Sequence, residues 1–300
     1  MENIDFLAVG YCSNDYLAVL PEIPLDGKVQ ILEQMVQGGG PAATAAVAAA
    51  RLGMKTGFIG VTGDDEHGTR IRRDLEQEGI CTSAMKIRAN CASAIAYCWI
   101  EQSTGKRSIA WSRGDFAELK EDEVDLEMIR QADVIHLDGH NPAGALAAAK
   151  EGRRNGIMVS LDAGTLRPEI RELMPYVTIL IASEDFARRY TGENDLEKAL
   201  LKLGENGSEV TGITMGCKGS MMLENGKAVY CPAFKIRAVD TTGAGDVYHG
   251  AFAVRYFETR DIRVSMRFAS AVSALKCLKP GGRTGIPTRA EADAFLTKQS

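Results

Sequence analysis

Short runs of apolar residues alternate with helical patterns over most of this 300-residue chain. Phe6-Leu-Ala-Val-Gly10, Gly57-Phe-Ile-Gly-Val61, Val134-Ile-His-Leu137, Ile157-Met-Val-Ser-Leu161 and Thr178-Ile-Leu-Ile-Ala182 are apolar on both parities, as strands buried on two faces are. Between them the spacing predicts helices over Ala42 to Leu52, His67 to Glu78 with Gly79 as its stop, and Pro142 to Arg154. The alternation predicts an α/β fold, a three-layer, doubly wound, mostly parallel sheet with helices on both faces. Ligands of such sheets lie beyond the carboxyl ends of the strands, where Gly38–Gly40, Asp138 and Asp162 fall.

Two segments break the rhythm. Residues 12–37 and 91–113 hold strand-like stretches with no helix between them. Ser93-Ala-Ile-Ala-Tyr-Cys-Trp-Ile100 turns at Ser103-Thr-Gly-Lys106 and returns as Arg107-Ser-Ile-Ala-Trp111, a hairpin. The expectation is one α/β core (1–11, 38–90 and 114–300) carrying a small β-sheet lid (12–37 and 91–113), with the lid serving as cover, dimer surface or both.

Composition narrows the classes. A net charge of −5 gives no support to a nucleic-acid or acidic-membrane partner. The seven scattered cysteines have no Cys-x-x-Cys spacing, which argues against zinc and for free thiols in a reducing compartment. The N-terminus reaches a strand at once without a basic start or cleavage site, so a cytoplasmic protein is expected.

The most informative stretch is Asp240-Thr-Thr-Gly-Ala-Gly-Asp246, between a strand-like run (Ala228 to Val239) and a helix-like one (Val247 to Arg260). A Gly-Ala-Gly turn opening a helix leaves N–H groups unpaired, an anion site. A carboxylate there is repelled by phosphate, so Asp246 suits a general base that takes a proton from a hydroxyl attacking phosphorus. A plain loop with an Asp cap is the competing reading. Gly38-Gly-Gly-Pro41 feeds an alanine-rich helix, which serves either close helix–sheet packing or close approach of a ligand. Thr214-Met-Gly-Cys-Lys-Gly219 reads as a hairpin or as a nucleotide loop. Lys279-Pro-Gly-Gly-Arg-Thr-Gly-Ile-Pro287, with Arg283, either closes over an anion or ends a helix running from Ile262 to Leu278. His249 reads as a surface or packing residue. Neither a Walker A loop nor a Rossmann Gly-x-Gly-x-x-Gly is present.

These segments, in this order over essentially the whole chain, resemble the ribokinase-like (PfkB) family of carbohydrate kinases. Gly38 to Gly53 resembles its first signature and Asp240 to Gly250 its second, and Gly38–Gly53 with Arg267–Pro287 is most similar to the bacterial sulfofructose kinase branch. The resemblance implies ATP-dependent phosphorylation of a hydroxyl, expected to be primary, on a sugar or sugar derivative. It assigns Asp246 as base and the amides of Gly243, Ala244 and Gly245 as the hole for the transferred phosphoryl group. Asp15, Gly39, Gly40 and Thr44 would bind the sugar, with Lys28 a candidate for an acidic substituent. Thr214, Gly216, Gly219 and Thr241 would face ATP. The carbonyls of Asp240 and Thr242 would hold a monovalent cation such as K+. Thr44 stands where the family has Asn. The family's magnesium-organising Asn-x-x-Glu lands on Ser183 and Phe186, leaving Glu184 as an indirect Mg2+ candidate. By resemblance the protein is a homodimer through the lid sheet. The alternatives are a nucleoside kinase, with Tyr97, Trp99 and Trp111 building a base slot, and a non-catalytic sugar sensor.

Overall fold

The computed structural model describes residues 4–104 and 107–299. Eight strands form the central sheet in the order Lys227–Cys231, Ser220–Glu224, Val210–Thr214, Ile179–Ser183, Met158–Ala163, Val134–Leu137, Phe6–Val9 and Thr56–Ile59. The last six run parallel, and the first two join antiparallel at one edge. Alternation along each strand feeds two cores. Phe6, Ala8, Val134, Ile179 and Ile181 pack on one face with the helices Pro41–Arg51, Ala244–Thr259 and Ile262–Lys276. Leu7, Val9, Ile135, Leu180 and Ala182 pack on the other with Pro142–Arg154 and Leu196–Gly204. Both faces are covered, so the strands carry no polar side. The doubly wound, mostly parallel architecture expected from the sequence is the one found. Among the described residues no helix is long and apolar enough to cross a membrane.

A second sheet of four strands stands beside the core, in the order Glu33–Gly39, Ser13–Leu20, Ile95–Glu101, Arg107–Ser112. Its first strand continues to Gly39, past the 37/38 boundary expected from sequence. Part of the hairpin turn, residues 105 and 106, lies outside the described residues. Register fixes which side chains share a face. Asp15 pairs with Ala96 and Ala96 with Trp111, while Tyr16 pairs with Tyr97 and Tyr97 with Ala110. Directly opposed residues project to the same side and neighbours along a strand to opposite sides. Asp15, Cys98, Ile109 and Trp111 therefore share one face, and Tyr16, Tyr97 and Trp99 the other.

The strand expected from Ala228 to Val239 ends at Cys231. Pro232 has no N–H to continue a ladder, and residues 232–239 run irregularly to the Asp240 turn. The helix after that turn starts at Ala244, three residues before the expected Val247.

Candidate active site

The Asp240–Asp246 turn is built by its own side chains. Thr242 donates from its N–H (2.8 Å) and its hydroxyl (2.7 Å) to Asp240 Oδ1, and Gly281 N–H donates to Oδ2 (2.8 Å). Gly243 caps the helix Ala244–Thr259 at φ 72°, a left-handed conformation that glycine adopts without strain. Its N–H and those of Gly245 and Asp246 meet no acceptor among the described residues, whereas Ala244 N–H closes the turn onto Thr241 O at 3.2 Å. The anion hole expected from Gly243, Ala244 and Gly245 is thus open at Gly243 and Gly245, with Asp246 N–H in place of Ala244. Helix N-termini favour negative charge at this point.

Asp246 sits on the first turn of that helix, half-buried at the surface of an acidic cluster. Its carboxyl is pushed up from 3.8 to about 7, first by burial and then by the charges of Asp162 and Asp138, with His249 and Lys276 opposing. One turn further, buried His249 lies with Nδ1 2.7 Å from Asp162 Oδ2. Although burial pulls the imidazole down, Asp162 holds its pKa above the ordinary histidine value, and the same pairing keeps the Asp162 carboxyl low. His249 is therefore not a surface residue: it is buried and pairs with Asp162 within the acid cluster. Asp138 accepts from Tyr11 N–H (2.9 Å), Ala42 N–H (3.1 Å) and His140 N–H (2.9 Å), tying the first strand's end to the alanine-rich helix.

The glycines of the first motif make room for charged groups. A side chain at Gly38 would overlap the Arg283 guanidinium, and one at Gly39 the Asp15 carboxylate; at Gly40, with φ 90°, it would strike the Tyr11 carbonyl. Asp15 accepts from Ser13 Oγ at 2.7 Å, and burial raises its carboxyl pKa. Arg283, buried, donates to Gly39 O at 2.8 Å and reaches Thr44 Oγ1 at 3.5 Å. A Cβ at Gly243 would stand 3.4 Å from the Thr44 methyl and 3.0 Å from Gly282 O, so the two signatures and the Lys279–Pro287 loop meet at this turn. The alanine-rich helix packs on another helix as well as on the sheet, since a side chain at Gly250 would crowd Ala45.

On the other side of the turn a cavity of about 480 Å³ is lined by Thr214, Gly216, Gly219, Thr241, Ala244 and Gly245. Phe234 and Ile236 form part of its wall, a contribution hidden while 228–239 read as a strand. The lid reaches the turn through Arg107, whose Nη1 donates to Thr241 Oγ1 (3.1 Å) and Thr242 Oγ1 (3.4 Å). Arg107 is spaced by two from Ile109 and Trp111, so the face carrying Asp15 and Trp111 is turned towards the site. Tyr97 and Trp99 point away from it, and the base slot expected from Tyr97, Trp99 and Trp111 together does not form.

Three of the expected residues have positions or partners of their own. Lys28 is exposed in the connection between two lid strands and makes no hydrogen bond or ion pair among the described residues. Glu184 is drawn to Arg188 (2.9 Å) and to Lys218 of the Gly216–Lys218 turn (3.9 Å), and Ser183 caps its own helix by accepting from Phe186 N–H. Among the described residues no group of three potential metal-ligating side chains occurs, so Mg2+ has no protein cage here; such ions are commonly held by one or two carboxylates plus the nucleotide's phosphates. The Asp240 carbonyl, a supposed K+ ligand, already accepts a hydrogen bond from buried Lys276 Nζ at 2.9 Å. A second cation about 4 Å from that ammonium would be repelled by roughly 4 kcal/mol at an effective dielectric of 20, so the residues present do not fit a bound monovalent ion.

A sequence model of pfkB family carbohydrate kinases matches residues 3–289. Ribokinase of Haemophilus influenzae is 32% identical over 266 residues, covering 86% of this chain and 87% of its own length. The ATP-dependent ribose-1-phosphate kinase of Halopiger xanaduensis is 29% identical, covering 98% of each chain. The crystal structure of a putative ribokinase from Agrobacterium tumefaciens superposes with a TM-score of 0.92 at 30% identity, covering 99% of each chain. Matched by the family sequence along almost its whole length and by the fold throughout, the chain belongs to the pfkB family and is an ATP-dependent carbohydrate kinase of ribokinase-like fold.

Proposed function

We propose that this enzyme transfers the γ-phosphoryl group of ATP to a primary hydroxyl of a sugar derivative that carries an acidic substituent. The observation supporting transfer at this place is the position of Asp246, raised to about 7, beside three open N–H groups and between the Thr214–Gly219 cavity and the Asp15–Thr44 motif. Asp246 takes the hydroxyl proton as the new O–P bond forms and the bond to the leaving ADP breaks. The Gly243 and Gly245 amides receive the charge of the transferred group. Asp15, with Gly39, Gly40 and Thr44, orients the sugar; Thr214, Gly216, Gly219 and Thr241 face the nucleotide. Magnesium, carried on the nucleotide's phosphates, would share their charge.

The acidic substituent is argued from a basic cluster beyond Asp138. Arg167 Nη2 (3.0 Å) and Arg113 Nη2 (3.4 Å) both reach His140 Nδ1. Burial lowers the His140 pKa, Asp138 opposes the shift, and both guanidiniums lower it further, which favours a ring that accepts from the two arginines. Glu118 pairs with each only loosely, at 3.8 and 3.9 Å, and lines with Tyr11, Arg113 and His140 a cavity of about 100 Å³, so two guanidiniums meet a single carboxylate there. These arginines take the role expected of Lys28. A relative named for ribose 1-phosphate, itself an anionic sugar, is consistent with this reading. A nucleoside acceptor is disfavoured because only Trp111 of the three lid aromatics turns inward. The exposed Tyr97 and Trp99 on the outer face support pairing of two copies through the lid sheet, which light scattering would test.

ADP release is the deciding assay, across neutral, phosphorylated, carboxylated and sulfonated sugars and nucleosides, with Asp246→Asn as the blank. Turnover of acidic sugars that falls at least tenfold in Arg113→Ala is expected; preference for a neutral sugar or a nucleoside would overturn the assignment.

A further inference from the structure

We propose that the ammonium group of Lys276 does in this chain what a bound monovalent cation would do behind the phosphoryl-binding turn, and that the enzyme neither binds nor needs K+. The inference rests on Asp240–Gly245 being that turn. Lys276 is the last residue of the helix Ile262–Lys276 and is 0% exposed, which is rare for a lysine unless its charge is met. Its Nζ donates to Asp240 O at 2.9 Å. The side-chain carboxylate of the same residue organises the turn by accepting from Thr242 and Gly281.

The surroundings leave the ammonium few other tasks. Cys277 O, the next carbonyl along, is taken by Val239 N–H (2.8 Å) and Asp240 N–H (3.3 Å). Gly285 packs so closely on the Lys276 backbone that a side chain there would overlap its carbonyl, which fixes the stem. An ammonium group and K+ are similar in size, and both are satisfied by carbonyl oxygens. The lysine charge is covalently delivered, so it cannot be diluted away, and it lies close enough to Asp246 for the two charges to act on each other. Lys276 touches no reacting atom. It is a positioning residue that acts through the Asp240 carbonyl on the amides of Gly243 and Gly245.

The experiment compares wild type with Lys276→Met and Lys276→Ala in KCl, NaCl and tetramethylammonium chloride at equal ionic strength. Wild-type kcat and KM for ATP should change by less than about twofold among the salts, since an ion with no site shifts nothing. Lys276→Ala should lose roughly 10–100-fold in kcat, less than deleting an oxyanion donor outright, and K+ should restore part of that loss. Thermal midpoints test the site without turnover. K+ should raise the midpoint of Lys276→Ala by about 2–4 °C or more over tetramethylammonium and leave wild type unmoved. K+-specific activation or stabilisation of wild type would overturn the proposal, as would a Lys276→Met enzyme at full speed in tetramethylammonium. If a variant does not fold, the wild-type salt comparison still decides. Loss of kinase activity on every acceptor would count against the functional reading instead, because the thermal comparison stands without it.

Discussion

Replacing Asp246 by asparagine should silence the enzyme and at the same time stabilise it, by an amount that depends on pH. The folded carboxyl is raised from 3.8 to about 7, chiefly by burial and next by Asp162. A raised carboxyl binds its proton more tightly folded than unfolded. Its favourable contribution is therefore complete below the unfolded value and is lost as pH climbs through the folded one. A shift of about three pKa units at 1.36 kcal/mol each sets a ceiling of about 4 kcal/mol, and partial solvent contact reduces this to roughly 2 kcal/mol. Asparagine keeps the shape and cannot ionise. In urea titrations from about pH 4 upward, the variant's advantage should widen by no more than ~1.4 kcal/mol per pH unit and level off near 7. Turnover should fall by about 10²–10⁴, as for loss of a general base. A stability difference that stays constant across that range would refute the raised carboxyl, and retained turnover would refute the base.

Three further outcomes follow from the same geometry. Arg107→Ala removes the lid's hold on the Thr241 and Thr242 hydroxyls, so kcat should drop about tenfold while ATP affinity by calorimetry stays level; weakened ATP binding alone would contradict this. Arg283→Met leaves the Gly39 carbonyl and the Asp15 charge without their partner, so KM for the sugar should rise and stability fall by roughly 1.5–3 kcal/mol, read by chemical denaturation. For Gly39→Ala, the added methyl would drive into the Asp15 carboxylate, so sugar binding should be lost while ATP binding in the separate Thr214–Gly219 cavity persists.

The architecture and the family were legible because each rests on local pattern. Doubly apolar strands announce a sheet covered on both faces, and Gly-Ala-Gly-Asp at a helix start can be recognised from seven residues. What escaped depends on pairing across the chain. Lys276 near a helix C-terminus reads like any solvated lysine favoured there by the dipole, and only the packing of Asp240 over it shows that it is buried. Arg107 and Trp111 required the lid register to tell inner face from outer. Residues 232–239 keep the apolar alternation of a strand, yet Pro232 ends the ladder and frees Phe234 and Ile236 to wall the cavity beside Thr214 and Gly219. Arg113 and Arg167, 54 positions apart by their numbers, meet at one imidazole nitrogen.

The charge pattern bears on whether a carboxylate could serve as a base beside open helix N–H groups. Asp138 and Asp162 press on Asp246 from within the sheet's carboxyl end, and each is fixed by partners of its own: three backbone amides for Asp138, His249 for Asp162. Asp162 does not relieve the pressure by taking the proton, because His249 holds its carboxyl low. Asp246 is left as the member of the cluster whose proton is exchangeable near neutral pH. Buried His249 and Lys276 oppose the shift through their charge, and among the described residues no side chain hydrogen-bonds the Asp246 carboxylate, while Arg107 on the lid binds the Thr241 and Thr242 hydroxyls. Substituting His249 by a neutral isostere should move the rising limb of kcat/KM, because it removes both the strongest charge opposing the Asp246 shift and the partner that holds Asp162 ionised. An unmoved limb would mean that burial alone sets the base, and that the histidine–aspartate pair belongs to the packing of the helix rather than to the chemistry.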